Sequence, residues 1–209
     1  MNRISALFLS GLVAVLVATS VVADDDLPDI RIRNVTHEVL TIVRDDRAIR
    51  SGDHGRLIEL VEQKVVPNFN FRRMTALAVG QHWRAATAAQ QDRLVALFKS
   101  LLVRTYSNAL TQYKDQPIEF RPLRGRTADG DVMVHADIRQ PGSPPIALDF
   151  RLEKGAEGWK VYDIAVAGVS LVTNYRGSFS QEVQLRGLDG LIQSLEDKNR
   201  QFAFGRTSS

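Results

Sequence analysis

The 209-residue chain is predicted to form one α+β domain, in which a helical N-terminal half packs on a curved antiparallel sheet that C-terminal helices close. Three observations predict this class. Apolar residues recur every three to four positions before residue 117 and again after residue 170. Between residues 118 and 166 they alternate instead. A hydrophobic content of 44% is ordinary for a globular domain.

The N-terminus has the pattern of a secretory signal peptide. Arg3 precedes an apolar stretch, and small residues up to Ala23 stand before an acidic run. These are the basic region, apolar region and cleavage position of such signals, so we expect residues 1–23 to be removed. The alternative is a membrane anchor, since no charge occurs between Arg3 and Asp24. The small residues favour cleavage.

Helical spacing predicts the first three helices. The first covers residues 27–50, and the second covers residues 57–65 and ends near Pro67. A third helix over residues 69–80 places Phe71, Met74 and Leu77 toward the core and ends at Gly80.

A capping box predicts where the longest helix begins. In Thr87-Ala-Ala-Gln90 the threonine oxygen and the glutamine side chain satisfy end groups reciprocally. The residues that follow predict one broad, mainly apolar face, formed by Leu94, Leu97, Phe98, Leu101, Leu102, Thr105 and Leu110.

The alternating region predicts four strands, near residues 118–120, 132–139, 146–153 and 159–166. Short turns join them, which indicates an antiparallel meander with one face against helices. Residues 170–195 are then predicted to be helical with a break at Gly187. The domain is expected to cover residues 24–201, with residues 202–209 as a disordered tail because the last residues are small and polar.

The sequence offers no catalytic or metal-binding constellation. Cysteine is absent, which excludes thiol nucleophiles and cysteine zinc sites. The four histidines lack metal-ligand spacing, and neither a phosphate-binding glycine loop nor a complete nucleophile elbow occurs. The net charge of +3 is spread along the chain, whereas nucleic-acid binding favours a clustered basic stripe. We therefore expect neither an enzyme nor a nucleic-acid partner.

Five segments carry a resemblance to a known family. They are VVPNFNFRRMT at residues 65–75 followed by Gly80, Trp83 and Arg84, LVRTY at 102–106, LEK at 152–154, GWKVYD at 158–163 and GVSLVTNYR at 168–176. In this order they resemble the MlaC family, also called toluene-tolerance or auxiliary ABC-transport proteins. The resemblance covers nearly all of the predicted mature chain.

The resemblance implies a monomeric periplasmic carrier of a Gram-negative bacterium with no cofactor and a bound phospholipid as cargo. Such a carrier exchanges lipid between an outer-membrane lipoprotein–porin complex and an inner-membrane ABC transporter with an MCE-domain ring, which maintains outer-membrane lipid asymmetry. The acyl tails are expected in an internal apolar cavity between sheet and helices.

Residue types then give the candidate site. The predicted tail cavity is lined by apolar residues: Phe69, Phe71, Met74, Leu97, Phe98, Leu101, Val134, Leu148, Phe150 and Val161. Amphipathic tyrosines and an arginine suit a wet rim that meets a phosphate. The predicted mouth is therefore Tyr106, Tyr162, Asn174, Tyr175 and Arg176.

Two other functions remain open from the sequence. One is a binding protein for a different hydrophobe, such as a hopanoid, a sterol-like lipid or a solvent, that works with an ABC transporter. The other is a secreted hydrolase or an adaptor without a ligand. An enzyme requires a polar cluster at the cavity floor, and an adaptor requires a filled core.

Overall fold

The computed structural model describes residues 27–123 and 130–204, with side chains up to residue 202. These residues form helices packed on an antiparallel sheet, which confirms the α+β class. The predicted signal peptide, residues 1–23, lies outside the described residues. In the described ranges, no helix combines the length and the apolar character that crossing a membrane requires.

The first predicted helix is divided in two, α1 (Pro28–Asp45) and α2 (Arg47–Arg50). The division is at Asp46, whose backbone is extended and whose carboxylate accepts hydrogen bonds from the Ala48 and Ile49 N–H groups at 2.9 and 3.2 Å. The single helix over residues 27–50 was therefore wrong, because an aspartate favours capping a new helix over continuing the old one.

The next helical segment is longer than predicted. α3 (His54–Leu60) continues as a π-helical turn, Val61–Val65, and a 3-10 turn, Val66–Asn68. Pro67 lies at the start of the 3-10 turn. Backbone N–H groups at the start of a helix have no carbonyl partner within it, so proline loses no hydrogen bond there.

Helix α4 (Phe71–Val79) ends at Gly80, as predicted, and Gly80 has a φ of 65° that favours glycine. Met74 is buried, but Leu77 is 42% exposed, so its predicted inward position was wrong. Leu77 is six residues after Phe71, and at 3.6 residues per turn its side chain points about 120° away from that of Phe71 around the helix axis. Leu77 has therefore left the face that packs on the core.

The capping box is present at the start of α5 (Ala88–Thr111), which confirms that prediction. From Leu94 to Leu102 the apolar stripe of α5 is buried against α4 and the last helix, α6 (Leu171–Phe204). Leu110 is only half-buried and packs against the cluster that α1 and α3 form. Gly187 interrupts α6 with a φ of 70°, which confirms the predicted break. The helix continues past Gln201 because Phe202 packs against this helical cluster.

The sheet has five strands rather than four, in the order β1 (Ile118–Phe120), β2 (Asp131–Gln140), β3 (Ser143–Gly155), β4 (Gly158–Val166) and β5 (Val169–Ser170). All neighbouring strands are antiparallel. The two residues of β5 are too few to show an alternation. Ala167 and Gly168 both have positive φ values and turn the chain back so that Val169 pairs with Val166.

One face of the sheet packs on helices at one end only. Val134, Leu152 and Val161 are buried there with Ile32 of α1. Toward the other end, Ile138, Leu148 and other residues on the same face are only half-buried. The sheet therefore keeps an apolar strip that the helices cover only in part.

Candidate functional site

An apolar groove of about 220 Å³ lies between α4, α5 and β4, and we call it the β4 groove. Among the described residues that line it, only Tyr106 and Ser107 have hydroxyl groups, and the Ser107 hydroxyl already donates to the Val103 carbonyl oxygen. The lining residues are Val61, Val65, Val66, Phe69, Phe71, Met74, Leu102, Val103, Tyr106, Ser107, Leu110, Ile164 and Leu171. Such a wall favours an apolar ligand. The groove is open at the surface, and an enclosed cavity stays a prediction.

The aromatic end of this groove is fixed by the backbone. Phe69 forms a parallel bridge with Val161, and the Asn70 N–H group donates to the Val161 carbonyl oxygen at 2.8 Å. The Phe69 and Phe71 rings then stack, with centroids 5.7 Å apart. The segment before α4 is thus attached to β4, so the two rings keep a defined position at the groove.

A polar network beside this attachment joins α4 to the sheet. The Arg73 guanidinium contacts Glu153 at 2.5 Å and Asp131 at 3.0 Å, and it lies 3.5 Å from the centre of the Tyr162 ring. The Tyr162 hydroxyl donates to Asp131 at 2.8 Å. Burial, together with this hydrogen bond, raises the pKa of Tyr162. Charge-assisted bonds thus hold α4 against β2 and β3, and the cation–π contact holds it against β4.

A second groove, of about 720 Å³, lies between α1 and the edge strand β1, and we call it the β1 groove. Its apolar floor is formed by Leu40, Ile118 and Phe120. Its rim is polar and includes Arg33, Thr36, His37, Thr41, Arg44, Tyr113, Asp115 and Glu119. The β1 groove therefore suits a ligand that has both apolar and polar parts.

The two grooves border the same face of the sheet. Phe120 pairs with Ala136, which pairs with Leu148, and directly paired residues point to the same side. Phe150, two residues from Leu148, pairs with Ile164 of the β4 groove. At about 4.8 Å between neighbouring strands, β1 and β4 are about 14 Å apart. An apolar strip of this width connects the floors of the two grooves.

The structure brings only part of the predicted tail cavity together. Phe69, Phe71 and Met74 line the β4 groove. Val134, Leu148, Phe150 and Val161 stand on the helix-facing side of the sheet. Leu97, Phe98 and Leu101 are instead buried between helices α4, α5 and α6. A contact of these residues with lipid stays a prediction.

The predicted mouth residues are not gathered at one opening. Tyr106 lines the β4 groove, whereas Tyr162 belongs to the polar network on the sheet. Asn174 and Arg176 are exposed on α6, and a methyl group at Gly80 would lie 3.2 Å from Arg176 Nε. Tyr175 packs edge-on against Phe98, with ring centroids 5.2 Å apart.

Sequence reasoning missed several residues of the β4 groove. Val61 and Val65 are four residues apart, and Leu102, Val103, Ser107 and Leu110 follow helical spacing along α5 beside Tyr106, which the sequence had predicted at the mouth. This spacing was visible in the sequence, but α5 carries two adjoining stripes. One faces α6, and the other faces the groove. Periodicity locates apolar stripes without naming the partner of each.

Tyr175 makes the stability of the protein sensitive to alkaline pH. Burial raises its pKa to about 12, and its interaction with the Tyr106 hydroxyl adds to the increase. An unfolded tyrosine titrates near pH 10, so the stabilisation is complete below about pH 10 and is lost as the pH rises toward about 12.

We expect the urea midpoint to fall less steeply in Tyr175→Phe than in the parent protein between about pH 9 and about pH 11.5. Tyr113 and Tyr162, whose pKa values are also raised, are present in both proteins and cancel in the comparison. Identical slopes would contradict the assignment.

The described residues hold no group of three or more histidines and acidic residues arranged for a metal ion. The His135 Nδ1 atom lies 2.6 Å from Asp149, on the sheet face opposite the grooves. This pair therefore contributes nothing to the floor of either groove.

Comparisons with known proteins agree on one family. The model of the MlaC protein family matches residues 33–197. The intermembrane phospholipid transport system binding protein MlaC of Haemophilus influenzae is 24% identical over 91% of this chain and 90% of its own length. The toluene tolerance protein ttg2D of Pseudomonas putida is 29% identical over 51% of this chain and 49% of its own length.

A solved structure shares the fold. It is a phospholipid-binding protein from Ralstonia solanacearum in complex with a phospholipid. The TM-score is 0.78 and the sequence identity is 38%, over 84% of this chain and 98% of that one.

Proposed function

The chain belongs to the MlaC family, and from this premise we propose that it is a phospholipid carrier that moves lipid between the two membranes of a Gram-negative envelope. One observation carries the proposal: an apolar groove faces the sheet in a fold whose Ralstonia relative holds a phospholipid. The acyl tails lie in the β4 groove and along the apolar strip of the sheet. The carrier acts in the periplasm, and the phospholipid is cargo rather than substrate.

The energetics of transfer need no chemistry in the carrier. Two acyl tails hold about 30 methylenes, and at ~0.8 kcal/mol each their burial stabilises the complex by about 24 kcal/mol relative to water. A bilayer offers the same burial. Exchange between membrane and carrier is thus near balance, so partner complexes set its direction. The proposed partners are an inner-membrane ABC transporter with an MCE-domain ring and an outer-membrane lipoprotein–porin complex.

Loading requires the β4 groove to widen. Pockets for drug-sized ligands measure about 300–1,000 Å³, whereas this groove measures about 220 Å³. The half-buried strip beside it gives the tails a surface to cover once the helices and the sheet move apart. The Arg73 network joins α4 to the sheet, so we place the widening at the opposite end, where the helices cover the sheet only in part.

Mass spectrometry of lipid extracted from the purified protein tests the proposal. We expect about one phospholipid per chain, or two if four tails fit, and none from an unrelated periplasmic protein prepared in parallel. A stoichiometric amount of another hydrophobe, such as a hopanoid, would instead favour a binding protein for that hydrophobe. Protein free of phospholipid that also fails to take it from labelled vesicles would refute the carrier function.

A further inference from the structure

We propose that the β1 groove binds the phosphate of the lipid head group and that Arg33 and His37 contact it. This inference rests on the proposed carrier function and locates the polar end of its cargo. Arg33 and His37 are four residues apart on α1, so they share one face of the helix. Both line the β1 groove, with Thr36 between them.

The guanidinium of Arg33 is positioned so that it can bind an anion. Its Cζ atom lies 5.6 Å from the centre of the Phe120 ring, where the cation interacts with the aromatic face. Among the described residues no carboxylate pairs with Arg33. A guanidinium on an aromatic ring keeps N–H donors at its edge, and their geometry matches phosphate oxygens. Arg33 thus stands where an apolar floor meets a polar rim.

The acidic residues of the groove do not cancel this cation. Glu119 is paired with Arg139 at 2.6 Å. Asp115 lies near Arg44, and the two also line a neighbouring pocket. Residues 33 and 44 are about 16 Å apart along the helix axis. The end of the groove at Arg33 is therefore the end that favours an anion.

The distances suit a lipid whose head lies at β1. The strip spans about 14 Å across the strands from β1 to β4, and with the shift of two residues along the strand Ile164 in the β4 groove lies about 16 Å from Phe120. An acyl chain of 16 carbons is about 20 Å long, so tails that begin at Phe120 reach the β4 groove. Arg176, the cation favoured by the sequence, is exposed on α6 beside Gly80 and outside both grooves.

The test compares two lipids and two variants. Binding of phosphatidylglycerol and of diacylglycerol, which has the same tails without phosphate, is measured for the full mature chain. Arg33→Gln with His37→Gln is expected to weaken phosphatidylglycerol binding about ten-fold or more and to leave diacylglycerol binding unchanged. Arg47→Gln, a matched control, removes an exposed arginine of α2 that lies outside the β1 groove. It is expected to change neither.

Other outcomes overturn the inference. Unchanged phosphatidylglycerol binding in the double variant places the head group elsewhere, and equal weakening for both lipids assigns the two residues to packing. Inorganic phosphate is titrated alone: if it binds at Arg33 while phosphatidylglycerol does not, the site belongs to a free anion. If the parent protein binds neither lipid, the carrier function itself has failed, whatever the variants do.

Discussion

Leu171→Asp is expected to weaken phospholipid binding about 100-fold or more while the protein stays folded. Leu171 is half-buried and lines the β4 groove. An ion taken out of water costs several kcal/mol even after the protein relaxes, and 1.4 kcal/mol corresponds to a factor of ten in affinity. An acyl tail that covers this carboxylate removes it from water, so the variant favours the empty carrier.

The fold tolerates this substitution because of where Leu171 lies. It is the first residue of α6, and a carboxylate in the first turn of a helix interacts favourably with the N-terminal N–H groups. Thr173→Asp is the matched control, because it adds the same charge to the same turn at an exposed position outside the groove.

Binding of a fluorescent phospholipid, with circular dichroism to verify folding, separates the two variants. Thr173→Asp is expected to bind like the parent protein. If Leu171→Asp also binds like the parent, the tails do not occupy the β4 groove.

Local rules predicted much of the fold. The sequence correctly predicted the capping box at Thr87, the helix end at Gly80 and the break at Gly187. Each of these features depends only on neighbouring residues in the chain. The failures were also local in origin. Asp46 capped α2 instead of continuing α1, and β5 was too short to show a period.

The candidate site was less predictable than the fold. Apolar spacing shows that α5 has apolar faces, but whether Phe98 or Tyr106 contacts a groove depends on which element packs on each face. Tyr162 was assigned to a wet rim because of its amphipathic side chain. In the structure its hydroxyl donates to Asp131, which is 31 positions earlier in the chain. Its ring lies under the guanidinium of Arg73, which is 89 positions earlier. Contacts over such separations are set by tertiary packing, which one sequence does not show.

Phe98 and Phe71 give the sharpest test of the boundary between core and groove. Phe98 is fully buried, and its ring packs edge-on against Tyr175 and Phe179 with both centroids 5.2 Å away. Truncating a buried phenylalanine leaves a cavity and costs about 3–5 kcal/mol. We therefore expect Phe98→Ala to lower the free energy of unfolding in urea by this amount. Lipid affinity per folded molecule should stay within about three-fold, a change below 1 kcal/mol.

Phe71→Ala is expected to show the opposite balance. Phe71 is half-buried and lines the β4 groove, where its ring stacks on Phe69. Its removal takes away tail contacts worth about 1.5–3 kcal/mol, which corresponds to a loss of affinity of about ten-fold or more. The loss of stability should be smaller than in Phe98→Ala, because the position is already partly open to solvent. Should Phe98→Ala reduce lipid affinity while stability is retained, the tails would extend between α5 and α6, and the lipid cavity predicted from the sequence would replace the β4 groove as their site.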